Sequence, residues 1–254
     1  MRLLEIDFFS SSPPATTTKY PIEWALVQEP NLWTPGKKPT GPVEIDWSHP
    51  LTNGLVSCRI LNQAHRGQDL VFNDDYTITG NPFDNRAPND FYIDYGVDKL
   101  IYGTNPASLI GTEYTFITSI GRFSASPGNR FVIGSNNSIN YDYGFYSIDS
   151  GLSFFHASGN SINCVTGLSS PYDYENAAVS YDGTNIYAYP SGLSEAASSL
   201  TSTYNFGIGN PWYTTTNEYK VKHLYIYDRY MDAEEIRSLF LDPYQILKPA
   251  GVEQ

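Results

Sequence analysis

The stretch KHLYIYDRYMDAEEIRSLFLDPYQ, residues 222–245, places a strand pattern directly before a helix pattern. The helix is predicted to begin after Asp232, because a carboxylate at that position can accept hydrogen bonds from the first free backbone N–H groups. Glu235 stands three residues later, which is the spacing of a reciprocal capping box. These signals predict a short helix at about residues 232–241.

The predicted helix is amphipathic. Ile236, Leu239 and Phe240 recur at the i, i+3 and i+4 positions, so their side chains lie on one side of the helix. Pro243 is expected to end it, because proline cannot continue the hydrogen-bonding pattern. A helix with one apolar side needs a sheet or a groove to cover that side.

The run VKHLYIY, residues 221–227, precedes the helix and has β-type composition. Bulky side chains occupy both sets of alternating positions in this run. We therefore expect a strand that is covered on both of its faces.

The rest of the chain predicts many short strands and no second convincing helix. Apolar and aromatic runs follow one another from residue 54, and the Asp182-Gly183 pair between two of them is typical of a β-hairpin. The composition agrees, because 21 Tyr and 13 Phe accompany 20 Gly and 17 Pro. About ten or more strands without interleaved helices predict an all-β fold, an antiparallel two-sheet sandwich.

Three motifs in the C-terminal third resemble the laminin-G-like family. VSYDGTNIYAYPSGL (179–193) is similar to its strand, D-G-T turn and tyrosine strand, and FGIGN (206–210) resembles the strand that follows. LYIYDRYMDAEEIRSLF (224–240) is similar to the closing strand and helix of the family. The resemblance implies a concanavalin A-like jelly roll in which the last long strand leads into a small helix that caps the sandwich edge.

Two further motifs resemble jelly-roll domains encoded by tailed bacteriophages. They are GPVEIDWSHPLTNGLVSC (41–58), which is the more specific, and DPYQILKP (242–249). This second resemblance implies a virion protein.

The chain is predicted to divide into an extended N-terminal arm, residues 1–42, and a β-sandwich with its C-terminal helix and tail, residues 43–254. Pro, Ser, Thr and Gly dominate residues 10–42 and cannot sustain a helix or a central strand. The arm nevertheless carries apolar side chains that would leave a large apolar surface in water unless something covered them. Those expected to contact a neighbouring subunit are Leu3, Leu4, Ile6, Phe8, Trp24 and Trp33.

Charge and cysteine usage exclude several classes of partner. With 15 basic and 27 acidic residues the net charge is −12, which repels nucleic acid and anionic membranes. No apolar run approaches the roughly 20 residues of a membrane span, and Glu5 and Asp7 interrupt any secretory signal at the N-terminus. Cys58 and Cys164 lie in apolar contexts without a C-x-x-C motif, so buried thiols in a reducing cytoplasm are expected rather than a disulfide.

No catalytic or metal-binding pattern stands out, so we expect neither an enzyme nor a cofactor. EIDWSH (44–49) superficially resembles the E-x-D-x-x-E strand of jelly-roll glucanases, but His49 replaces the third acid and a retaining glycosidase needs two carboxylates. Trp47 is instead expected to plug the base of the sandwich. The histidines lack metal-ligand spacing, and no G-x-S-x-G motif is present. The histidines are His49, His65, His156 and His223.

Acidic loops leave calcium binding as an alternative to simple turn formation. Asp74 and Asp75, or Asp84 and Asp90, could supply oxygen ligands, but neither pair has the spacing of an EF-hand loop. We expect turn-forming residues and no metal.

Two aromatic loops are candidate sugar-binding sites. Each combines an aromatic platform with planar polar neighbours, the mixture that glycan sites use. Strand packing or a protein interface is the alternative for the same residues. The candidates are Trp212 and Tyr213 in one loop, and Tyr141 and Tyr143 with Asn140 and Asp142 in the other.

These observations favour a non-enzymatic structural virion protein of a tailed phage, a capsid decoration or tail component attached through its arm. Its partners would be other virion proteins, including copies of itself. The alternative is a glycan-binding adhesin on the same particle, and a polysaccharide hydrolase is a more distant alternative.

Overall fold

A computed structural model shows a β-rich chain, and its described residues include one short α-helix. The residues that it describes are 37–62, 64–72, 74–80, 91–94, 99–122, 130–136, 141–148, 151–156, 160–165, 174–200, 204–209 and 218–251.

Sixteen strands, one α-helix and two single-turn 3₁₀ helices are formed by the described residues. The strands are β1 Val43–Ile45, β2 Leu55–Ile60, β3 Tyr76–Thr79, β4 Phe91–Asp94, β5 Lys99–Tyr102, β6 Tyr114–Arg122, β7 Arg130–Asn136, β8 Tyr141–Ile148, β9 Gly151–His156, β10 Asn160–Val165, β11 Tyr174–Tyr181, β12 Asn185–Tyr189, β13 Leu193–Ala196, β14 Phe206–Ile208, β15 Glu218–Tyr227 and β16 Leu247–Pro249. The helix α1 spans Ala233–Leu241, and the 3₁₀ turns span Pro50–Thr52 and Pro106–Ser108.

Two seven-stranded antiparallel sheets make up the sandwich. Sheet I has the strand order β10-β9-β8-β7-β14-β5-β3, and sheet II has the order β13-β12-β11-β6-β15-β2. Strand β4 also pairs with β15, beside β2. The predicted antiparallel two-sheet sandwich with a short C-terminal helix is therefore confirmed.

An aromatic core fills the space between the sheets. Phe116 of sheet II packs against Tyr143 and Phe154 of sheet I, with ring centroids 5.7 and 5.6 Å apart. All three rings are buried. Burying each such side chain contributes roughly 1.5–3 kcal/mol, so the many alternating aromatic residues of the strands stabilise this layer.

A second apolar layer covers the outer face of sheet II. Helix α1 packs there through Ile236 and Leu239, and the Asn176 side chain of β11 donates to the carbonyl of Phe240 at 3.0 Å. The resemblance implied a helix at the sandwich edge, but this helix lies on a sheet face, because β15 presents apolar side chains outward as well as inward. Strand β15 is thus covered on both faces, as its composition predicts. The layer comprises Val43, Ile45, Leu55, Cys58, Ile60, Ile117, Ala178, Tyr225, Tyr227, Met231, Ile236, Leu239, Tyr244, Ile246 and Leu247.

The predicted capping box at the start of α1 is confirmed. Asp232 Oδ1 accepts from the backbone N–H groups of Glu234 and Glu235 at 2.9 Å, and Glu235 Oε2 accepts from the N–H of Asp232 at 3.2 Å. Among the described elements, no helix combines the length and the hydropathy that crossing a membrane requires.

Strand β1, the first described strand, is joined to the C-terminal tail of the chain. Strands β1 and β16 form a separate two-stranded ribbon, with Val43 opposite Pro249. Residues 37–42 also pack on the domain, since the Asn62 side chain donates to the carbonyl of Pro39 at 2.8 Å. The six apolar arm residues between Leu3 and Trp33 lie outside the described residues, so the arm and its boundary remain predictions.

The expectation that Trp47 plugs the base of the sandwich is wrong. Val43 and Ile45 take the buried positions of β1, and Trp47 follows in a turn where it is 60% exposed. Cys58 and Cys164 are free and buried, as predicted.

Candidate functional site

Two of the residues predicted from the sequence to bind sugar, Tyr143 and Asp142, have side chains that the structure describes. Tyr143 is fully buried between the sheets, where its hydroxyl donates to Asn105 Oδ1, so its ring is not available to a ligand in solvent. Its position matches the strand-packing alternative. Asp142 is half-buried, and its Oδ2 accepts from the Ser135 hydroxyl at 3.5 Å. The side chain of Tyr141 is not described, and the three remaining predicted residues lie outside the described ranges. These are Asn140, Trp212 and Tyr213.

The structure assembles a different group of aromatic side chains on the outer face of sheet II. Ile186 and Ala188 of β12 point into the core, so the alternating Tyr187 and Tyr189 face outward. Tyr230, from the turn after β15, lies against them. We call Tyr187, Tyr189 and Tyr230 the tyrosine patch; all three are half-buried.

The tyrosine patch has a defined internal geometry. The rings of Tyr187 and Tyr230 meet edge to face, with centroids 5.6 Å apart and an interplanar angle of 66°. Burial, with the neighbouring Tyr230 as a further contribution, raises the pKa of Tyr189. A tyrosine hydroxyl can both donate and accept hydrogen bonds, so the patch offers both kinds of group to a ligand.

A carboxylate at the end of β11 holds one side of the patch. Asp182 Oδ1 accepts from the N–H groups of Thr184 and Asn185 at 2.9 and 2.8 Å, and Oδ2 accepts from the Tyr187 hydroxyl at 2.9 Å. The two backbone N–H bonds, that of Asn185 first, lower the pKa of Asp182 below its usual value. The bond to Asp182 raises the pKa of Tyr187. Gly183 has φ +91°, a left-handed conformation that lets the chain make this turn.

The backbone on either side of Tyr230 is anchored. The N–H of Tyr230 donates to Glu113 Oε2 at 3.4 Å, and the N–H of the buried Met231 donates to Ser180 Oγ at 2.9 Å and Thr115 Oγ1 at 3.1 Å. The backbone of Tyr230 is therefore held in place, and its ring packs against that of Tyr187, so the side chain needs little ordering when a ligand binds.

The surroundings of the patch are acidic. Asp182 and Glu113 contact it directly, and the charge of Asp232 acts on Tyr189. Arg229, a nearby cation, forms two hydrogen bonds to the carboxylate of Glu235 at 2.7 and 2.9 Å. The patch therefore offers aromatic faces, hydroxyl groups and carboxylate oxygens, which suit a ligand with apolar C–H faces and hydrogen-bond donors.

The stretch that superficially resembles a glucanase strand has structural contacts. Glu44 pairs with Lys248 at 3.3 Å, and Asp46 accepts from the Ser48 hydroxyl at 2.6 Å. His49 Nδ1 accepts from the N–H of Leu51 at 3.2 Å and so caps a 3₁₀ turn. These side chains belong to the β1–β16 ribbon and its turn rather than to a cleft of the sandwich.

Asp74 of the candidate calcium loop also has structural contacts. Both of its carboxylate oxygens accept from the N–H of Thr104, at 3.1 and 3.0 Å, and one lies 3.9 Å from Arg59 Nη2. Across the part of the chain that is described, no three potential ligand side chains gather as a metal site would require. Asp84 and Asp90 lie outside that part.

The histidines form contacts in separate elements of the fold. His65 Nε2 accepts from the N–H of Val43 at 2.9 Å, His156 Nε2 lies 2.6 Å from Glu195 Oε1, and the buried His223 stacks on Tyr225. Their separation agrees with the absence of metal-ligand spacing in the sequence.

Reasoning from the sequence missed the tyrosine patch, although part of its signal is present. The i, i+2 spacing of Tyr187 and Tyr189, directly after an Asp182-Gly183 turn, predicts two aromatic rings on one strand face beside a carboxylate. Tyr230 carries no such signal, because its place beside Tyr187 depends on the pairing of distant strands.

Comparison with solved structures shows the fold. The chain is similar to the binding domain of botulinum neurotoxin DC solved with rat synaptotagmin II, with a TM-score of 0.61, 16% identity, and coverage of 74% of this chain and 51% of that one. The receptor-binding domain of the C/D mosaic serotype gives a TM-score of 0.61 at 13% identity, with coverage of 74% and 51%. A botulinum neurotoxin type C structure gives 0.61 at 14% identity, with coverage of 74% and 50%. This chain therefore spans about half the length of those chains.

No protein-family model matches this sequence, and no curated protein matches it. At these low identities the structural likeness shows a shared β-sandwich fold.

Proposed function

We propose that this chain is a non-catalytic, carbohydrate-binding domain and that the tyrosine patch is its binding surface. The observation that supports this most directly is the arrangement of Tyr187 and Tyr230. Their half-buried rings meet edge to face beside the ionised carboxylate of Asp182. A sugar ring has an apolar face that stacks on an aromatic ring and hydroxyl groups that donate to carboxylate oxygens.

The rigidity of the patch supports this proposal. Asp182 holds the Tyr187 hydroxyl, and backbone hydrogen bonds hold Tyr230 on both sides. A surface whose side chains are already positioned loses little conformational entropy when a ligand binds. A preordered surface matters most for weak ligands such as single sugars, because their few contacts must offset the whole entropic cost of association.

The structural comparisons support the same proposal. Botulinum neurotoxin type C is described as entering cells through interaction with two ganglioside molecules, and a DC binding domain was solved in complex with SialylT. Both have the fold of this chain. Because this chain spans about half their length, the glycan role is carried over only as part of the proposal.

A glycan-array measurement with the full chain, followed by titration calorimetry, tests the proposal. We expect Tyr187→Ala to weaken binding by about tenfold or more, because the ring supplies much of the contact area. Tyr146→Ala is the matched control, since Tyr146 is a half-buried tyrosine on β8 of the other sheet. Failure of the full chain to bind any glycan, or full binding by Tyr187→Ala, would refute the assignment.

A second candidate function is structural: a virion protein of a tailed phage, either a capsid decoration protein or a tail component, attached through residues 1–42. One observation favours it. The two motifs that resemble phage-encoded domains meet in space, since β1 pairs with β16 and the N–H of Asp46 donates to the carbonyl of Ile246 at 2.9 Å. The exposed Trp47 lies in the turn beside this contact and offers an apolar anchor for a neighbouring subunit.

Deletion of residues 1–40 tests the attachment. The truncated chain, checked for folding by circular dichroism, should fail to be incorporated into phage particles. Incorporation at the wild-type copy number would contradict attachment through the arm. Copy counting by mass spectrometry separates the two candidates, because many copies on a capsid favour decoration and a few at a tail tip favour glycan binding.

A further inference from the structure

Three carboxylates face or flank the tyrosine patch. Asp182 Oδ2 lies 2.9 Å from the Tyr187 hydroxyl, and Glu113 Oε2 lies 3.4 Å from the N–H of Tyr230. Glu113 and Asp232 are exposed. Any ligand that stacks on the patch therefore comes close to several negative charges.

Arg229, a cation beside the patch, already donates hydrogen bonds to acceptors within the protein. Arg229 Nη1 and Nη2 bind the two oxygens of Glu235, Nη1 also donates to the carbonyl of Tyr230 at 3.1 Å, and Nε donates to the carbonyl of Asn53 at 2.8 Å. All of its nitrogen atoms thus have acceptors within the protein. Arg229 would have to break the two-bonded pair with Glu235 to receive a carboxylate from a ligand, which disfavours that exchange.

Resting on the proposed carbohydrate-binding function, we infer that the patch selects neutral, hydroxyl-rich glycans and discriminates against sialylated ones. Carboxylates accept hydrogen bonds but cannot donate them, so Asp182 and Glu113 suit ligand hydroxyl groups and repel a ligand carboxylate. A carboxylate about 6 Å from the carboxylate of a ligand weakens binding by roughly threefold in a water-like dielectric. Asp182 and Glu113 together therefore lower the affinity for an anionic sugar by about tenfold. The net charge of −12 acts in the same direction by slowing association of anionic ligands.

Matched oligosaccharide pairs that differ only in a terminal sialic acid test the inference with the full chain. The neutral member of a pair should bind about tenfold more tightly at low salt, and the ratio should shrink as salt screens the carboxylates. Equal or tighter binding of the sialylated member would overturn the inference while leaving the proposed carbohydrate-binding function standing. Binding of neither member would overturn both.

A charge-removing variant shows whether the patch carboxylates cause the discrimination. Glu113→Gln keeps the shape and an acceptor for the N–H of Tyr230, and it should reduce the neutral-to-sialylated ratio by about threefold. Glu175→Gln, which removes a half-buried carboxylate at the opposite end of β11, should leave the ratio unchanged. An unchanged ratio in Glu113→Gln, or an equal reduction in both variants, would contradict the assignment to the patch.

Discussion

Replacing His65 by glutamine should make the stability of this protein less sensitive to acid. His65 Nε2 accepts a hydrogen bond from the N–H of Val43 at 2.9 Å, and the backbone N–H of His65 donates to Asn62 Oδ1 at 2.8 Å. Burial lowers the pKa of His65 from 6.5 to about 4. The folded chain therefore keeps this ring neutral and able to accept the hydrogen bond from Val43 of β1.

The size of the effect follows from the pKa difference between the folded and unfolded states. Between about pH 6.5 and 4 the unfolded chain binds a proton at His65 and the folded chain does not, so stability is lost as the pH falls through this range. At about pH 5 the loss is about 1.5 pH units times about 1.4 kcal/mol, or about 2 kcal/mol. Burial also lowers the pKa of His223, to about 3, so His223 adds a similar loss at that pH.

Urea unfolding of the full chain at about pH 7.5 and about pH 5 measures this difference. The two histidines should cost the wild-type protein about 4 kcal/mol between these conditions, and His65→Gln should recover about 2 kcal/mol of it, because glutamine supplies an acceptor that does not titrate. His65→Asn is the control, since its shorter amide loses the bond to Val43 at both pH values but also does not titrate. An unchanged acid sensitivity in both variants would refute the assignment to His65.

Three further changes test the packing, and a chelator tests the expected independence from metal. Asp232→Ala should cost about 1 kcal/mol of unfolding free energy and reduce the helical circular dichroism signal, because the helix loses its N-cap. Leu239→Ala should cost about 2–5 kcal/mol in urea unfolding, whereas Leu241→Ala on the same helix, 79% exposed, should cost less than about 0.5 kcal/mol. Gly54→Ala should lower the Tm, because φ is +73° and an added Cβ lies 2.8 Å from Asp228 Oδ1. A chelator should leave the Tm unchanged, and a clear decrease would show that a loop binds structural calcium.

Short-range patterns in the sequence determined the elements of this fold. The capping box of Asp232 and Glu235 marks the start of α1, since the groups that bond to each other are three residues apart. The composition of β15 shows in the same way that both of its faces are covered. The Asp182-Gly183 turn predicts the β11–β12 hairpin, because its geometry depends on only a few neighbouring residues.

Contacts between residues far apart in the chain were decided only by the tertiary structure. Tyr143 is a candidate sugar-binding residue in the sequence, but strand β8 places its ring in the inter-sheet core. Trp47 is predicted from the sequence to be a core residue, but it follows the β1–β16 ribbon in a turn where its side chain is exposed to solvent. Tyr187 and Tyr230 meet because β12 and β15 belong to one sheet and the turn after β15 returns over its outer face. Local composition specifies which side chains can be buried or can stack, whereas strand order and sheet packing set which of them reach the same surface.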